Sequence, residues 1–314
     1  MLAPILLLVY NRPHHTKRTL ESLMANDLAD KSTLFIYADG PKPDSTPEQI
    51  HRIKETRAVL KEKQWCQEVH ITELEENLGV DEATIRHVTK IINKFGKIIV
   101  LEDDIITSKG FLKYMNDGLQ LYENDIKVVG ISGYNFPSKK TLPPTFFIKG
   151  GNNPWGWATW KRAWDCFEQD YTKLYQQITA DPALAFEYNY DNSYDYVKML
   201  RESTENNQPW DIRWIASGFL KDSYSLWPGE SLVQNIGHDA TGVHCGTTNK
   251  YSHLKLADYI EVEKLPILGN KMARNEIVKF NRLLGKETII NKLKWRISAL
   301  LPNGVKTTLK KIIN

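Results

Sequence analysis

Short apolar runs, each ended by polar or turn-forming residues and followed by a segment with helical spacing, recur through the first half of the chain. PILLLVY (residues 4–10) stops at Asn11-Arg12-Pro13, and TLFIYADG (33–40) closes on Asp39-Gly40-Pro41. EVHITEL (68–74) precedes the ENLG of residues 76–79, and KIIVLEDD (97–104) runs into three carboxylates. Continuous apolar runs of this kind read as strands covered on both faces. Between them, residues 14–26 place Leu20, Leu23 and Met24 at helical spacing, 47–63 form a charged amphipathic helix, and Asp81 is positioned to cap a helix over about 82–95. A helix over 109–123 and a strand over 127–135 continue the series. The alternation predicts an α/β protein whose mixed, mostly parallel sheet is flanked by helices. Ligands of such sheets bind beyond the carboxyl ends of the strands, so Asn11, Arg12, Asp39, Asn77, Asp103 and Asp104 are expected to converge on one edge.

Charge is distributed unevenly. Residues 271–314 hold 11 Lys/Arg against 2 Asp/Glu, whereas residues 1–270 hold 30 against 36. An acidic body with a basic tail lacks the basic working face of a nucleic-acid binder, so no nucleic-acid partner is expected. The tail's Ile290, Leu293, Ile297 and Leu301 share one helical face beside Lys292 and Arg296, which suits contact with an anionic membrane surface or packing in an oligomer. Cys66, Cys166 and Cys245 are odd in number and form no CxxC, which argues against a disulfide framework or a zinc site. The opening apolar run is short, without a basic lead, and fails as a signal peptide. The expected location is the cytoplasm, with the basic C-terminus as a candidate contact to the inner face of the membrane.

Glu102-Asp103-Asp104 at a strand end offers oxygen ligands to a hard divalent cation, which commonly takes one or two carboxylates plus substrate phosphates. Neighbouring strand residues point to opposite faces, so the three carboxylates divide their roles. Asn11-Arg12 and Asp39-Gly40 place a cation and a carboxylate where a nucleotide could lie. Neither GxGxxG nor GxxxxGK[ST] is present, and no GxSxG occurs, which weakens dinucleotide, P-loop and serine-hydrolase readings. The second half carries Trp155, Trp157, Trp160, Trp164, Trp210, Trp214 and Trp227. Such rings are either core or a platform for a sugar face. Asp211, between Trp210 and Trp214, is a candidate general base; a helix cap is its simpler reading. Glu230 and Asp239 are reserves, and His238 and His244 lie in a Gly-rich stretch.

The order PILLLVYNRP, YADGP, ENLG, VLEDD resembles the nucleotide-sugar half of GT-A glycosyltransferases, most closely the N-acetylglucosaminyltransferase I type and its bacterial relatives, where an EDD replaces the usual DxD. The similarity continues through Trp155-Gly156-Trp157, Pro209-Trp210-Asp211 and residues 229–245, covering about residues 3–250. The resemblance implies a metal-dependent glycosyltransferase using a nucleotide-sugar, UDP-linked, with Mn²⁺ or Mg²⁺ as cofactor. It implies Asp104 and His244 as metal ligands, and Asn11, Arg12, Asp39, Asn77 and Asp103 as donor contacts. It further implies Asp211 as the base of an inverting transfer, with Trp155, Trp157, Trp210 and Glu230 on the side of a glycan acceptor that could be lipid-linked.

The expected organisation is a GT-A domain over 1–265, with its nucleotide-sugar half at about 1–135 and its acceptor half at 136–265, and a basic helical extension over 266–314. Surface polysaccharide or glycoconjugate synthesis is the expected setting. A sugar-nucleotide nucleotidyltransferase and a non-catalytic carbohydrate-binding protein stay open as alternatives.

Overall fold

The structure, a computed structural model, describes residues 1–203, 209–239 and 255–300, the side chains of 286–300 excepted. In chain order the first half comprises β1 (Ile5–Val9), α1 (Pro13–Met24), β2 (Thr33–Ala38), α2 (Pro47–Leu60), β3 (Glu68–Glu73), α3 (Val80–Phe95), β4 (Lys97–Glu102), β5 (Ile105–Thr107), α4 (Phe111–Leu121) and β6 (Val128–Ser132). The second half adds β7 (Thr145–Lys149), β8 (Trp157–Trp160), α5 (Lys161–Trp164), α6 (Tyr171–Thr179), α7 (Pro182–Tyr188), α8 (Tyr196–Arg201), α9 (Trp210–Leu220), β9 (Tyr224–Pro228), β10 (Val233–Asn235) and α10 (Lys271–Leu300).

Eight strands form one sheet in the order β3-β2-β1-β4-β8-β6-β9-β7. β3, β2, β1 and β4 pair in parallel, as do β6 and β9. β8 runs antiparallel between β4 and β6, and β7 antiparallel against β9. The fold is therefore α/β with a mixed, mostly parallel sheet. The alternation of β1 explains its wholly apolar sequence: Ile5, Leu7 and Val9 enter one core, while Leu6 enters the other with Val88, Ile91, Ile98 and Trp157. Both faces are covered, as a parallel sheet requires. β3 ends the sheet, and its exposed Glu68, His70, Thr72 and Glu73 blunt that edge.

Several expected elements shift by one to three residues at their ends. Asp81 does not cap α3. Gly79 takes the cap position with φ +77°, a left-handed backbone that glycine adopts without penalty. The Asp81 carboxylate instead accepts a hydrogen bond from the Trp210 N–H at 2.7 Å and so closes the first turn of a different helix, α9.

A third apolar cluster joins Leu174, Ile178, Tyr188, Leu200, Ile212, Ala216 and Phe219 of α6–α9. α10 starts inside the main core, where Ala273 and Ile277 are buried and Phe280 lies 5.4 Å from Phe136. Residues 271–280 are thus packed into the fold and do not hang from it. The apolar and basic faces expected over 286–314 lie outside the described side chains. No described helix is long and apolar enough to cross a membrane.

Candidate active site at the strand ends

β4 stops where Glu102 hands over to a turn at Asp103 and Asp104, after which β5 pairs with β10. The turn draws both aspartates inward, to 3% and 4% exposure. β1, alongside, ends at Val9 and delivers Arg12 to them. The Arg12 guanidinium hydrogen-bonds Asp103, and its Nη1 lies 3.0 Å from Asp104 Oδ2. The Tyr10 N–H points to Asp103 Oδ2 at 3.4 Å, and Thr19 Oγ1 donates to the Asp103 carbonyl at 2.9 Å. Asp104 is tied by its carbonyl, which accepts from the Ile236 N–H at 2.9 Å. Its side-chain Oδ1 is buried and accepts no hydrogen bond from the described residues.

Three carboxyl groups crowd around Arg12. Burial first, then Asp104 and Asp103, pushes the Glu102 carboxyl well above its usual range against the pull of Arg12, and Asp211 adds to the push. Burial also raises Asp104, opposed by Arg12. Burial pulls the Arg12 guanidinium down, but Asp103 and Asp104 outweigh it and hold it above its ordinary value. That Asp211 acts on Glu102 places the start of α9 within electrostatic reach of the end of β4.

The chain leaving β10 closes over this pair. A Cβ at Gly237 would stand 2.1 Å from Asp104 Oδ2 and 3.0 Å from Arg12 Nη1, so only glycine permits the crossing. Beyond it, Asp239 Oδ2 lies 3.1 Å from His15 Nε2, and the His238 ring meets Trp155 edge-on at 5.4 Å. Trp155 in turn meets Tyr134 at 4.6 Å. Because β8 is antiparallel, Trp155, just before its start, sits at the same edge as the parallel strands' ends.

The expected donor contacts are partly corrected. Asp39 is a clamp: its Oδ1 accepts from the Gly40 and Leu78 N–H groups at 2.9 Å each, and its Oδ2 accepts from Asn77 Nδ2 at 2.9 Å and the Gly79 N–H at 3.1 Å. Four donors fill a carboxylate's capacity, so Asp39 has no acceptor position left for a nucleotide; Asn77, half-buried, spends its Nδ2 on Asp39 and on the Gly40 carbonyl at 3.0 Å. Arg12 and Asp103 are spent mainly on each other. Asn11 is half-buried at the end of β1, and Glu230 is exposed after β9.

Trp157 and Trp210 are also corrected. They stack on each other at 5.1 Å and are 0% and 3% exposed, which makes them core and not a sugar platform. Trp155, half-buried, is the one of the three with ring surface at the edge. Asp211 is half-buried in the first turn of α9, whose cap position is held by Pro209, so it is not a cap. His244 lies outside the described residues.

Sequence reasoning passed over His15, Gly237 and the cross-helix use of Asp81. The His14-His15 pair directly after the first strand was the available sign for the first of these.

Among the described residues no three His, Cys, Asp or Glu side chains are grouped to hold an ion by themselves. The donor set still fits a hard divalent cation. The buried Oδ1 of Asp104 has no hydrogen-bond partner among the described residues and lies in a cluster of carboxyl groups, and such ions bind through one carboxylate when phosphates supply the rest.

No protein-family model matches the chain, and no curated protein matches it. Among solved structures it is similar to TarS of S. aureus, at 12% identity and a TM-score of 0.37, over 73% of this chain and 36% of that one. It is also similar to a UDP-glucose pyrophosphorylase complexed with UDP-glucose, at 11% identity and a TM-score of 0.34, over 73% and 90% of the two chains. Mouse xyloside xylosyltransferase 1 matches at 11% identity and a TM-score of 0.34, over 62% and 77%. The chain spans about a third of the length of TarS.

Proposed function

We propose that this protein is a glycosyltransferase that moves a sugar from a nucleotide-sugar donor to a glycan hydroxyl at the carboxyl edge of the sheet. The observation that carries this reading is the buried Asp104 carboxylate, one oxygen of which has no hydrogen-bond partner among the described residues, in a cluster of three carboxyl groups beside Arg12. Asp104 would hold Mn²⁺ or Mg²⁺ together with the donor diphosphate, and His244 is a further candidate ligand. When bound, the cation would supply positive charge to the departing diphosphate.

The chain's own residues then have distinct tasks. Arg12 fixes Asp103 and Asp104 and offsets their mutual repulsion. The Asp39 clamp fixes the loop of residues 76–79 under the donor. Asn11 and the Trp155 ring offer polar and apolar surface at the edge, with Glu230 beyond them. Asp211, at the start of α9, accepts the acceptor's hydroxyl proton as that oxygen bonds to the anomeric carbon and the bond to the diphosphate breaks, inverting the centre. UDP is the nucleotide favoured by the resemblance.

The connection from β1 to α1 tells against a nucleotidyltransferase: only Tyr10–Arg12 separate the two elements, with no glycines to cradle a triphosphate. A lipid-linked acceptor, with the basic C-terminus at an anionic surface, completes the reading. Calorimetric titration of UDP with and without Mn²⁺, on the wild type and Asp104→Ala, tests it.

A further inference from the structure

A cavity of about 410 Å³ lies at the opposite edge of the sheet from the carboxylates, where β7 ends and β9 begins. Its walls come from β7, α7, α9, β9 and the first turn of α10. They include Ile215, Phe219, Tyr190, Tyr224, Asn270 and Asn275. The volume falls within the roughly 300–1,000 Å³ of small-molecule sites, and aromatic walls with a few polar groups are typical of them.

Two of the three cations on its walls, Lys149 and Arg274, are held in ion pairs. Lys149 Nζ lies 3.1 Å from Glu187 and 3.6 Å from Asp222, and Arg274 holds Asp191 through two bonds of 2.9 and 2.8 Å. Lys271, the third cation of the walls, is exposed. With Lys149 and Arg274 already engaged by carboxylates, the interior of the cavity offers an ionic ligand little to neutralise, and its polar groups do not suit a purely apolar one. It suits a ligand with apolar faces for the rings and hydroxyls for the amides and ion pairs, which describes a neutral saccharide.

Two independent features mark the cavity as more than a packing gap. Tyr190, Asp191 and Asn192 hold φ values of 49°, 56° and 54°, three successive non-glycine residues in the left-handed region. Backbone held in this way concentrates at ligand sites, and here Tyr190 lines the cavity while Asp191 anchors Arg274. The second feature is α9 itself. Asp211, Ile215 and Phe219 follow at intervals of four and so share one face of the helix, and Ile215 and Phe219 line the cavity. At about 1.5 Å per residue the cavity begins one to two turns beyond Asp211. Tyr188, another wall residue, donates its hydroxyl to the Ile212 carbonyl at 3.3 Å, next to Asp211.

We infer that this cavity is a carbohydrate-binding subsite for a neutral oligosaccharide, holding a part of the acceptor chain remote from the point of transfer. The inference takes from the proposed function only that Asp211 marks the acceptor side; saccharide binding at the cavity stands without it.

The test is a titration of the full chain with chitotriose, cellotriose and maltotriose, followed by ligand-observed saturation-transfer NMR, with a sulfated trisaccharide as the charged comparator. At least one neutral trisaccharide should bind. Asn275→Trp, which fills the cavity from an exposed helix position, and Tyr224→Leu, which removes a half-buried ring, should each weaken it about tenfold or more. Binding of none of the three, binding untouched by both cavity variants, or preference for the sulfated ligand would overturn the inference. UDP titration in parallel keeps the two readings apart. Saccharide binding without Mn²⁺-enhanced UDP binding removes the transferase and keeps the subsite, and the reverse result does the opposite.

Discussion

The Asp81 carboxylate accepts the Trp210 backbone N–H at 2.7 Å across 129 positions of sequence, joining the first turn of α3 to the first turn of α9. Asp39 holds the residues just before α3, and Asp211 directly follows Trp210. These hydrogen bonds, joined by the short chain segments 79–81 and 210–211, link the end of β2 to the proposed base.

Asp81→Ala should loosen the start of α9. The loss of a helix-terminal acceptor costs ~1 kcal/mol of stability, read as a lower urea midpoint. Faster amide exchange at residues 210–213 should accompany it while donor binding is retained. Asp81→Asn keeps an acceptor oxygen and should restore most of the protection. Unchanged exchange in the alanine variant would show that the bond does not position α9.

Gly237 is the position least able to change near the carboxylates. Gly237→Ala must displace Asp104 or Arg12, because its Cβ would sit 2.1 Å from one and 3.0 Å from the other. A cost of ~1–3 kcal/mol is expected from this overpacking, together with weaker Mn²⁺-dependent UDP binding. Gly285→Ala, with nothing within 4 Å of the added carbon, is the matched control.

His87 is buried against Tyr37, ring centroids 3.6 Å apart, and neither ring nitrogen finds a hydrogen-bond partner among the described residues. Burial, helped by Lys90 and Arg86, pushes its pKa down to about 4. The folded chain keeps His87 neutral, whereas the unfolded chain takes up a proton from about pH 6.5 downward. Its contribution is therefore intact above pH 6.5 and is lost as the pH falls toward 4. His87→Phe should remove on the order of 2 kcal/mol of the stability lost between pH 7 and 4.5. Urea midpoints at the two pH values measure this, and equal losses in both proteins would contradict it.

Deleting residues 286–314 should leave Mn²⁺-dependent UDP binding intact, because the described part of α10 that enters the core ends before them. Binding to vesicles containing phosphatidylserine should fall in sedimentation assays. Undiminished vesicle binding would exclude these residues as the membrane contact.

Much of the sheet could be read from the sequence. β1, β2 and β4 are buried on both faces, so their apolar runs needed no alternation to be recognised, and the carboxylates at the end of β4 followed from them. β7, β8 and β9 escaped notice because they are short, aromatic and interleaved with small helices, and their order in the sheet is set by tertiary pairing. Asp39 shows why a site is harder than a fold. Asp-Gly is ordinary turn chemistry, and nothing local reveals that residues 77–79 bring it three further donors. Asp81 misled in the same way, since an aspartate near a helix start reads as that helix's cap until the distant Trp210 is seen beside it. The Trp157–Trp210 stack belonged to the core for the bland reason that large rings usually do.

The central claim is that Asp104 holds a divalent cation with a nucleotide diphosphate. Calorimetric titration of UDP in the presence and absence of Mn²⁺ tests it most directly. Mn²⁺ should tighten UDP binding by about tenfold or more in the wild type, and Asp104→Ala should abolish that gain while remaining folded. Equal UDP affinity with and without Mn²⁺, or an undiminished Mn²⁺ effect in Asp104→Ala, would contradict the account.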